Sequence, residues 1–567
     1  MAAEAGVLPG GDSPKRESTP SAPISSVPQK RAFDDVHSPA VPSPLNPDVS
    51  TSELPSHDDV SLPRSSKPSR LKKESFKKRE ARVGGAGGGR DSSPIVPDHR
   101  PSEESDNLDS PLRYKLAPPK PSDFDLPRGP VMTLHHEIEA HEGQQIEIFE
   151  ASDHVYNKKN FRYTHCIADP MFPSTLYYRQ TEPEPFGPRI SFEDAATSVY
   201  FDKTGRVVTT DKGFRMARAN VAVREGRWYW ECKITQGVQA AKEPGAKPQM
   251  GKHIRMGWAR REASLDAPVG FDAYSYGIRD VAGEKVFMSR PKNFFPPGEG
   301  IREGDVIGLE IQLPSESLHR KIMAGTYNPA IDASDDTEDG ISVAEAANIV
   351  RDRVPIRFKA HTYFEKIEYH TTKELEDLMN PSPAGGASSS SSSGPPNPLH
   401  TLPALRTLPN SHIKIYKNGK LIGTAFENLL GFLPPASKPQ PQVGAREGLD
   451  DGMLGYYPAV SVFRGGAAEV NLGPDFWYPP PEYEPPSASR TARVGTTASG
   501  LRRQLRGLCE RYREQIAEDV VYDVIDEVDF WMQDGGGATD KKGVQEKSDA
   551  VAAARGREEI KELVQDD

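Results

Sequence analysis

Arg255 and Arg279 are the residues of this chain whose type and setting best suit binding chemistry. They frame the stretch HIRMGWARREASLDAPVGFDAYSYGIRD, His253 to Asp280, in which Pro268, Phe271, Tyr274 and Tyr276 gather as a cluster of apolar groups. A guanidinium presents a planar fork of N–H donors that pairs a carboxylate bidentately. Two such forks around an aromatic and proline shelf suit an acidic peptide with hydrophobic anchors. On the residues alone a second reading stands beside that one: arginines on the outer face of a strand, solvated and idle.

Catalytic chemistry finds no support. The sequence has no P-loop, no GxGxxG after a strand, no HExxH and no GxSxG elbow. His135, His136 and His141 come closest to a metal set, but they sit among glutamates in a polar stretch. Cys232 alternates with Trp228 and Trp230, the pattern of a small buried hydrophobe and not of a nucleophile. The expectation is a protein without catalytic residues, cofactor or metal, and so not an enzyme.

The elements that must hold the two arginines are strands. SVYFDKTGRVVTT, FRMARANVAV, RWYWECKI, HIRMGWA, DVIGLEIQL, HIKIYKNGKLIGTAF, YYPAVSVF and AEVNLG are short runs rich in aromatic and β-branched residues, punctuated by Gly, Asp or Asn. In HIRMGWA, Ile254, Met256 and Trp258 share one face, while Arg255 and Gly257 point the other way. Asn418-Gly419 favours a type I′ hairpin turn. Many short strands without intervening helices predict a mainly β fold, an antiparallel β-sandwich over 190–480. Stretches at about 315–350, 380–410 (with GGASSSSSSGPP) and 434–452 read as long loop insertions, which a sandwich tolerates at little cost in closure entropy.

Composition bounds the rest. Of 567 residues only 35% are apolar, with 53 Pro and 48 Gly, so a large part of the chain cannot offset the entropy of ordering it. Residues 1–125 are expected as a disordered Ser/Pro-rich tail with basic clusters, among them RLKKESFKKREAR at nuclear-import density. Residues 126–189 read as an extended lead-in, and 481–498 as a linker. A net charge of −11 argues against a protein that coats nucleic acid. Cys166, Cys232 and Cys509 form no CxxC pair, which excludes a zinc finger or disulfide scaffold and fits a reducing compartment. No run of about 18 apolar residues is present, so no membrane span is expected.

After YPPPEYEPP the period changes to that of a helix. Leu501, Leu505, Leu508, Tyr512, Ile516, Val520, Val524, Val528 and Trp531 recur every three or four residues, and Val521 and Ile525 widen the stripe. The pattern predicts an amphipathic helix over 499–533, capped by Ser499 and ended by Gly535-Gly536-Gly537, with a charged tail over 534–567. Packing on the sandwich is one use for the stripe. A polar linker separates the two, so a partner that supplies a groove is the economical alternative.

KGFRMARANVAVREGRWYWECKI, the His253–Asp280 stretch, GDVIGLEIQLP, IKIYKNGKLIGTAF and YYPAVSVFRGGAAEVNLGPDFWYPP together resemble the SPRY domain of Ash-two-like subunits of COMPASS-type histone H3 lysine-4 methyltransferase complexes. EDVVYDVIDEVD, Glu518 to Asp529, is similar to that family's helix for docking a dimeric Dpy-thirty-type subunit. The Ser/Pro-rich tail and loop inserts resemble the fungal members, and the absence of cysteine before Cys166 implies that the zinc finger of animal members is missing.

The resemblance implies a nuclear, non-catalytic core subunit. Its SPRY surface would bind an acidic–hydrophobic segment of the β-propeller subunit, and together they would hold the SET-domain subunit in its active arrangement. Positions matching that surface are Phe214, Arg255, Pro268, Phe271 and Arg279. Phe214 and Phe271 stand where animal members carry tyrosine, a change that keeps stacking and removes a phenolic hydrogen bond. Val520, Val521, Val524, Ile525 and Val528 fall on the docking positions, with Ile516 leading the stripe. Weak, salt-sensitive DNA or nucleosome contact would fall to Lys158, Lys159 and Arg162 in YNKKNFRY, or to the 70–82 cluster. The competing reading keeps the SPRY fold as a substrate receptor of a ubiquitin ligase. That role requires a zinc-bound RING or B-box, or a cullin-box helix; three scattered cysteines exclude the zinc modules.

Overall fold

The computed structural model describes residues 119–140, 143–157, 161–169, 178–238, 251–332, 349–351, 353–359, 361–380, 394–439, 448–486, 503–533 and 561–562. The expected N-terminal tail, with its basic clusters, lies outside them but for its last residues, and so does most of the expected charged tail.

Two sheets face each other across an aromatic core. The first runs in the order Val131–Glu139, Gln145–Ser152, Tyr200–Phe201, Val207–Thr209, Ala467–Asn471, Gly226–Gln236, Val306–Leu313, His412–Lys417, Lys420–Glu427. The second runs Arg290–Lys292, Glu284–Phe287, Ser275–Arg279, His253–Ala259, Tyr457–Phe463, Arg215–Ala219, Ile190–Ala195. Pairing along both orders is antiparallel, the sandwich that the short alternating strands predict. Trp228, Trp230, Cys232 and Ile234 point inward from one sheet, Ile254, Met256 and Trp258 from the other, and all are buried. Trp230 and Trp258 meet edge to face, their ring centroids 6.2 Å apart. Cys232 is a core residue whose thiol burial pushes up, away from thiolate character. Asn418 and Gly419 take positive φ, 49° and 80°, as a type I′ turn requires.

A third sheet differs from expectation. Phe161–Ala168, within the 126–189 stretch read as a lead-in, pairs on one side with Tyr178–Gln180 from the same stretch and on the other with His361–Ile367, which pairs with Val354–Phe358. Val131–Glu139 and Gln145–Ser152, from the same stretch, enter the first sheet. Apolar alternation is muted in FRYTHCIA because charged and polar side chains occupy inward positions: Arg162 and His165 are both buried.

The loop inserts also hold structure at their ends. A helix, α1 (Glu316–Ala324), opens the first insert, with Ser315 Oγ accepting from the Leu318 amide at 3.2 Å and Gly325 closing it at φ 78°. Its Leu318, Ile322 and Met323 join the main core. A second helix, α2 (Lys373–Met379), precedes the next insert, and Ala404 and Leu405 are buried at its far end.

The C-terminal helix, α3 (Leu508–Gln533), begins later than the predicted 499. Leu505–Gly507 instead forms a short strand parallel to Gly226–Gln236, with Leu505 buried beside Tyr229 and Tyr416. Backbone pairing there overrides the helical period of the side chains. At 26 residues α3 is about 39 Å long. No described helix is long and apolar enough to cross a membrane.

Candidate partner-binding surfaces

Arg255 lies on the outer face of the second sheet, opposite Arg279 on one side and Ser461 on the other. Its guanidinium sits over the Phe214 ring, 4.8 Å from the centroid, within cation–π range. Phe214 leans in turn on Phe463, 4.8 Å between centroids, and the Arg464 guanidinium lies 5.0 Å from the Phe463 ring centroid. Arg279 is paired with Glu284, and His253 with Asp280 at 3.2 Å. Burial first, then the charge of Arg279, lowers the pKa of Arg255; a guanidinium stays protonated regardless.

Pro268 and Phe271 reach this face because Gly277 lets their loop lie flat on it, while Gly257 lets the strand pair beneath it close. A Cβ on Gly277 would meet the Val269 carbonyl oxygen at 2.7 Å, and one on Gly257 the Tyr276 oxygen at 1.9 Å. Gly270 supplies the turn at φ 84°. The Val269 amide donates to Ser461 Oγ at 3.0 Å, and the Gly270 amide to Ser275 Oγ at 2.9 Å. Pro268 is half-buried and Phe271 is 45% exposed. Tyr274 and Tyr276, counted with them in the sequence, are core residues whose hydroxyls accept from the Thr372 and Leu430 amides. The five residues thus come from two neighbouring strands (Arg255 and Arg279), the residue just before the strand Arg215–Ala219 (Phe214) and one loop (Pro268 and Phe271), all on a single sheet. Phe463 and Arg464 are additional members, legible only as the aromatic–basic end of SVFRGG.

The second surface is on α3. Leu508 and Cys509 are buried, and Tyr512 hydroxyl donates to Glu182 at 2.6 Å, fixing the start of the helix to the body. Beyond Gln515 the helix inverts. Ile516, Val520, Val521, Val524, Ile525 and Val528 are all exposed, between 45% and 55%. Asp523 and Asp526, on the opposite side, are buried. Stripes normally turn inward; here the apolar side faces water and the acidic side faces protein. A cavity of about 420 Å³ lies beside the helix, lined by Arg162, Arg189, Glu193, Tyr512, Ile516 and Val520 among others.

The proposed phosphate contacts do not assemble. Lys158 and Lys159 lie outside the described residues. Arg162 is buried, its guanidinium donating to the Tyr457 hydroxyl at 3.3 Å and lying 4.0 Å from Asp194. A buried, partnered arginine has no access to a DNA backbone, and Arg162 is withdrawn from that role. Among the described residues no group of His, Cys, Asp and Glu is spaced to hold a metal ion.

Sheets and surfaces define a class: an antiparallel sandwich bearing one arginine–aromatic face and one outward-facing apolar helix. No family model matches the chain. The COMPASS component cclA of Colletotrichum higginsianum is 60% identical over 565 residues, 96% of each chain. The Set1 complex component ash2 of Schizosaccharomyces pombe is 38% identical over 421 residues, 74% of this chain and 52% of that one. A solved human SPRY domain aligns at 13% identity and a TM-score of 0.21, over 49% of this chain and 98% of the other, too low a score to add to the fold read from the sheets. The chain belongs to the Ash2-like family of COMPASS components.

Proposed function

We propose that the protein is a non-catalytic, nuclear subunit of a Set1/COMPASS histone H3 lysine-4 methyltransferase complex. The face around Phe214, Arg255, Pro268, Phe271 and Arg279 takes an acidic–hydrophobic segment of the β-propeller subunit. The stripe Ile516, Val520, Val521, Val524, Ile525 and Val528 docks a Dpy-thirty-type dimer. With both partners in place the SET-domain subunit is held in its active arrangement and methylation is stimulated. A salt-sensitive contact with nucleosomal DNA falls to Lys158 and Lys159.

The observation that supports this reading most is the six-residue apolar stripe exposed on α3. Side chains of this kind gain about 1.5–3 kcal/mol each on full burial, which a partner's groove supplies. The test is reconstituted methylation of histone H3 by a SET-domain subunit and its propeller partner, with and without this protein. The wild type stimulates; Arg255→Ala/Arg279→Ala loses both stimulation and propeller pull-down while staying folded. No stimulation by the wild type would overturn the reading.

A further inference from the structure

The underside of α3 carries a feature that docking alone does not require. Up to Gln515 the body-facing side of the helix is held through Leu508, Tyr512 and Gln515. One turn later that same side becomes acidic: Asp519, Asp523 and Asp526 follow at spacings that keep them on one face. Three carboxylates so spaced repel one another in an isolated helix.

The segment leading into the third sheet's strand Val354–Phe358 answers them with cations. Arg351 Nη1 lies 3.0 Å from Asp519 Oδ1, and Arg353 pairs with Asp523 and lies 3.6 Å from Asp526. Gln180 Nε2 donates to Asp519 Oδ2 at 3.1 Å and is itself held by Lys366 at 2.8 Å. Arg351 also covers the Tyr522 ring at 4.8 Å, and Arg353 the Phe364 ring at 5.3 Å. Both arginine side chains are less than a tenth exposed, so water screens these pairs little. The geometry is directional: guanidinium forks fix where each carboxylate sits, and through it the rotation of the helix about its axis.

We infer that Arg351 and Arg353 are positioning residues for the apolar stripe. They hold α3 helical and rotated outward before any partner arrives, so that Ile516 to Val528 is a prebuilt docking face. The inference rests on the docking reading above for its partner and extends it by saying how the face is prepared. A helix ordered in advance spares the partner the entropy of ordering it, which shows as affinity. The acidic residues of EDVVYDVIDEVD then have a role distinct from the valines: the valines meet the partner, the aspartates meet the protein's own third sheet and the segment leading into it.

The test uses the full chain in three forms: wild type, Arg351→Glu/Arg353→Glu, and that pair combined with Asp519→Arg/Asp523→Arg. Amide hydrogen exchange over 516–528 is followed in the free protein, and affinity for a purified Dpy-thirty-type dimer is titrated. Charge reversal should speed exchange over 516–528 by about 100-fold and weaken the dimer about tenfold. It should leave exchange in the strands Gly226–Gln236 and His253–Ala259 unchanged. The double swap should restore both readouts, which a merely damaged fold would not. Fast exchange over 516–528 in the wild type, or a reversal that changes neither readout, overturns the inference. So does a swap that restores nothing while the sandwich strands stay protected. Slow wild-type exchange that reversal releases, with no dimer binding by any form, supports the positioning and refutes the docking reading alone.

Discussion

Arg255 and Arg279 stand directly opposite each other across an antiparallel strand pair, and they are not equivalent. Glu284 neutralises Arg279, whereas Arg255 has the Phe214 ring for a neighbour and no carboxylate partner among the described residues. Of the two carboxylates nearby, Glu284 pairs directly with Arg279 and Asp280 with His253, so the guanidinium left without a direct ion pair is that of Arg255. Arg255→Lys keeps the charge but loses the bidentate fork and the flat contact with Phe214. It should weaken binding of the propeller subunit's acidic–hydrophobic segment about tenfold, or about 1.4 kcal/mol. Arg279→Lys, able to keep a point contact with Glu284, should cost less. Calorimetric titration of the segment into each variant measures this; equal losses would contradict the asymmetry.

The two halves of α3 should respond oppositely to substitution. Val524→Asp changes a side chain that is 48% exposed, so unfolding free energy should move by no more than about 0.5 kcal/mol. Leu508→Ala empties a fully buried position and should cost about 2–5 kcal/mol. Affinity for a Dpy-thirty-type dimer should follow the reverse order: abolished by Val524→Asp, retained by Leu508→Ala under conditions where it stays folded. Urea unfolding together with dimer titration separates the two. A large stability loss in Val524→Asp would mean that the stripe packs on the protein itself.

The inner strands were legible because their alternation is strict: Ile254, Met256 and Trp258 inward, Arg255 outward, is what the structure contains. The third sheet was not, and the reason is the way it is stabilised. Arg162 and His165 occupy buried strand positions, and Arg351 and Arg353 are satisfied by aspartates about 170 residues away in the chain. A buried ion pair looks in sequence like two solvated charges, so the pattern that reveals a strand is lost. Arg162 reads from sequence as a surface cation for the same reason; Tyr274 and Tyr276 read with the exposed loop because the distant amides of Thr372 and Leu430 that their hydroxyls meet leave no local pattern. The start of α3 failed for another cause: Leu505 satisfies a helical period and a strand equally, and pairing with Gly226–Gln236 decides between them.

Gly277 tests whether the loop over the second sheet belongs to the arginine face. An alanine there brings Cβ to 2.7 Å from the Val269 carbonyl oxygen, so the loop carrying Pro268 and Phe271 must lift. Gly277→Ala should therefore lose segment binding at least tenfold while dimer docking at α3 is unchanged, at a stability cost of about 1–3 kcal/mol. Gly257→Ala meets backbone at 1.9 Å within the strand pair and should destabilise the whole sandwich more. Thermal unfolding and the two titrations distinguish them. Normal segment affinity in a folded Gly277→Ala would remove Pro268 and Phe271 from the site.

His319 gives the fold a pH dependence whose sign is fixed by its hydrogen bonds. Its Nε2 accepts from the Phe432 and Leu433 amides at 3.2 and 3.4 Å, which requires a neutral ring. Burial pulls its pKa down from 6.5 to about 3, against the raising effect of Glu316. The unfolded chain takes up this proton near pH 6.5 and the folded chain does not, so stability is full above that pH and falls as pH drops toward 3. At pH 5 the loss from this one residue is about 2 kcal/mol relative to neutral pH. His154, also buried with a lowered pKa, adds to the wild-type slope in the same direction. His319→Gln retains an acceptor near the two amides and removes the titration. Urea midpoints at pH 7 and pH 5 should therefore converge in the variant by that amount relative to wild type. A variant that loses as much stability as wild type between the two pH values would show that the proton is taken up elsewhere.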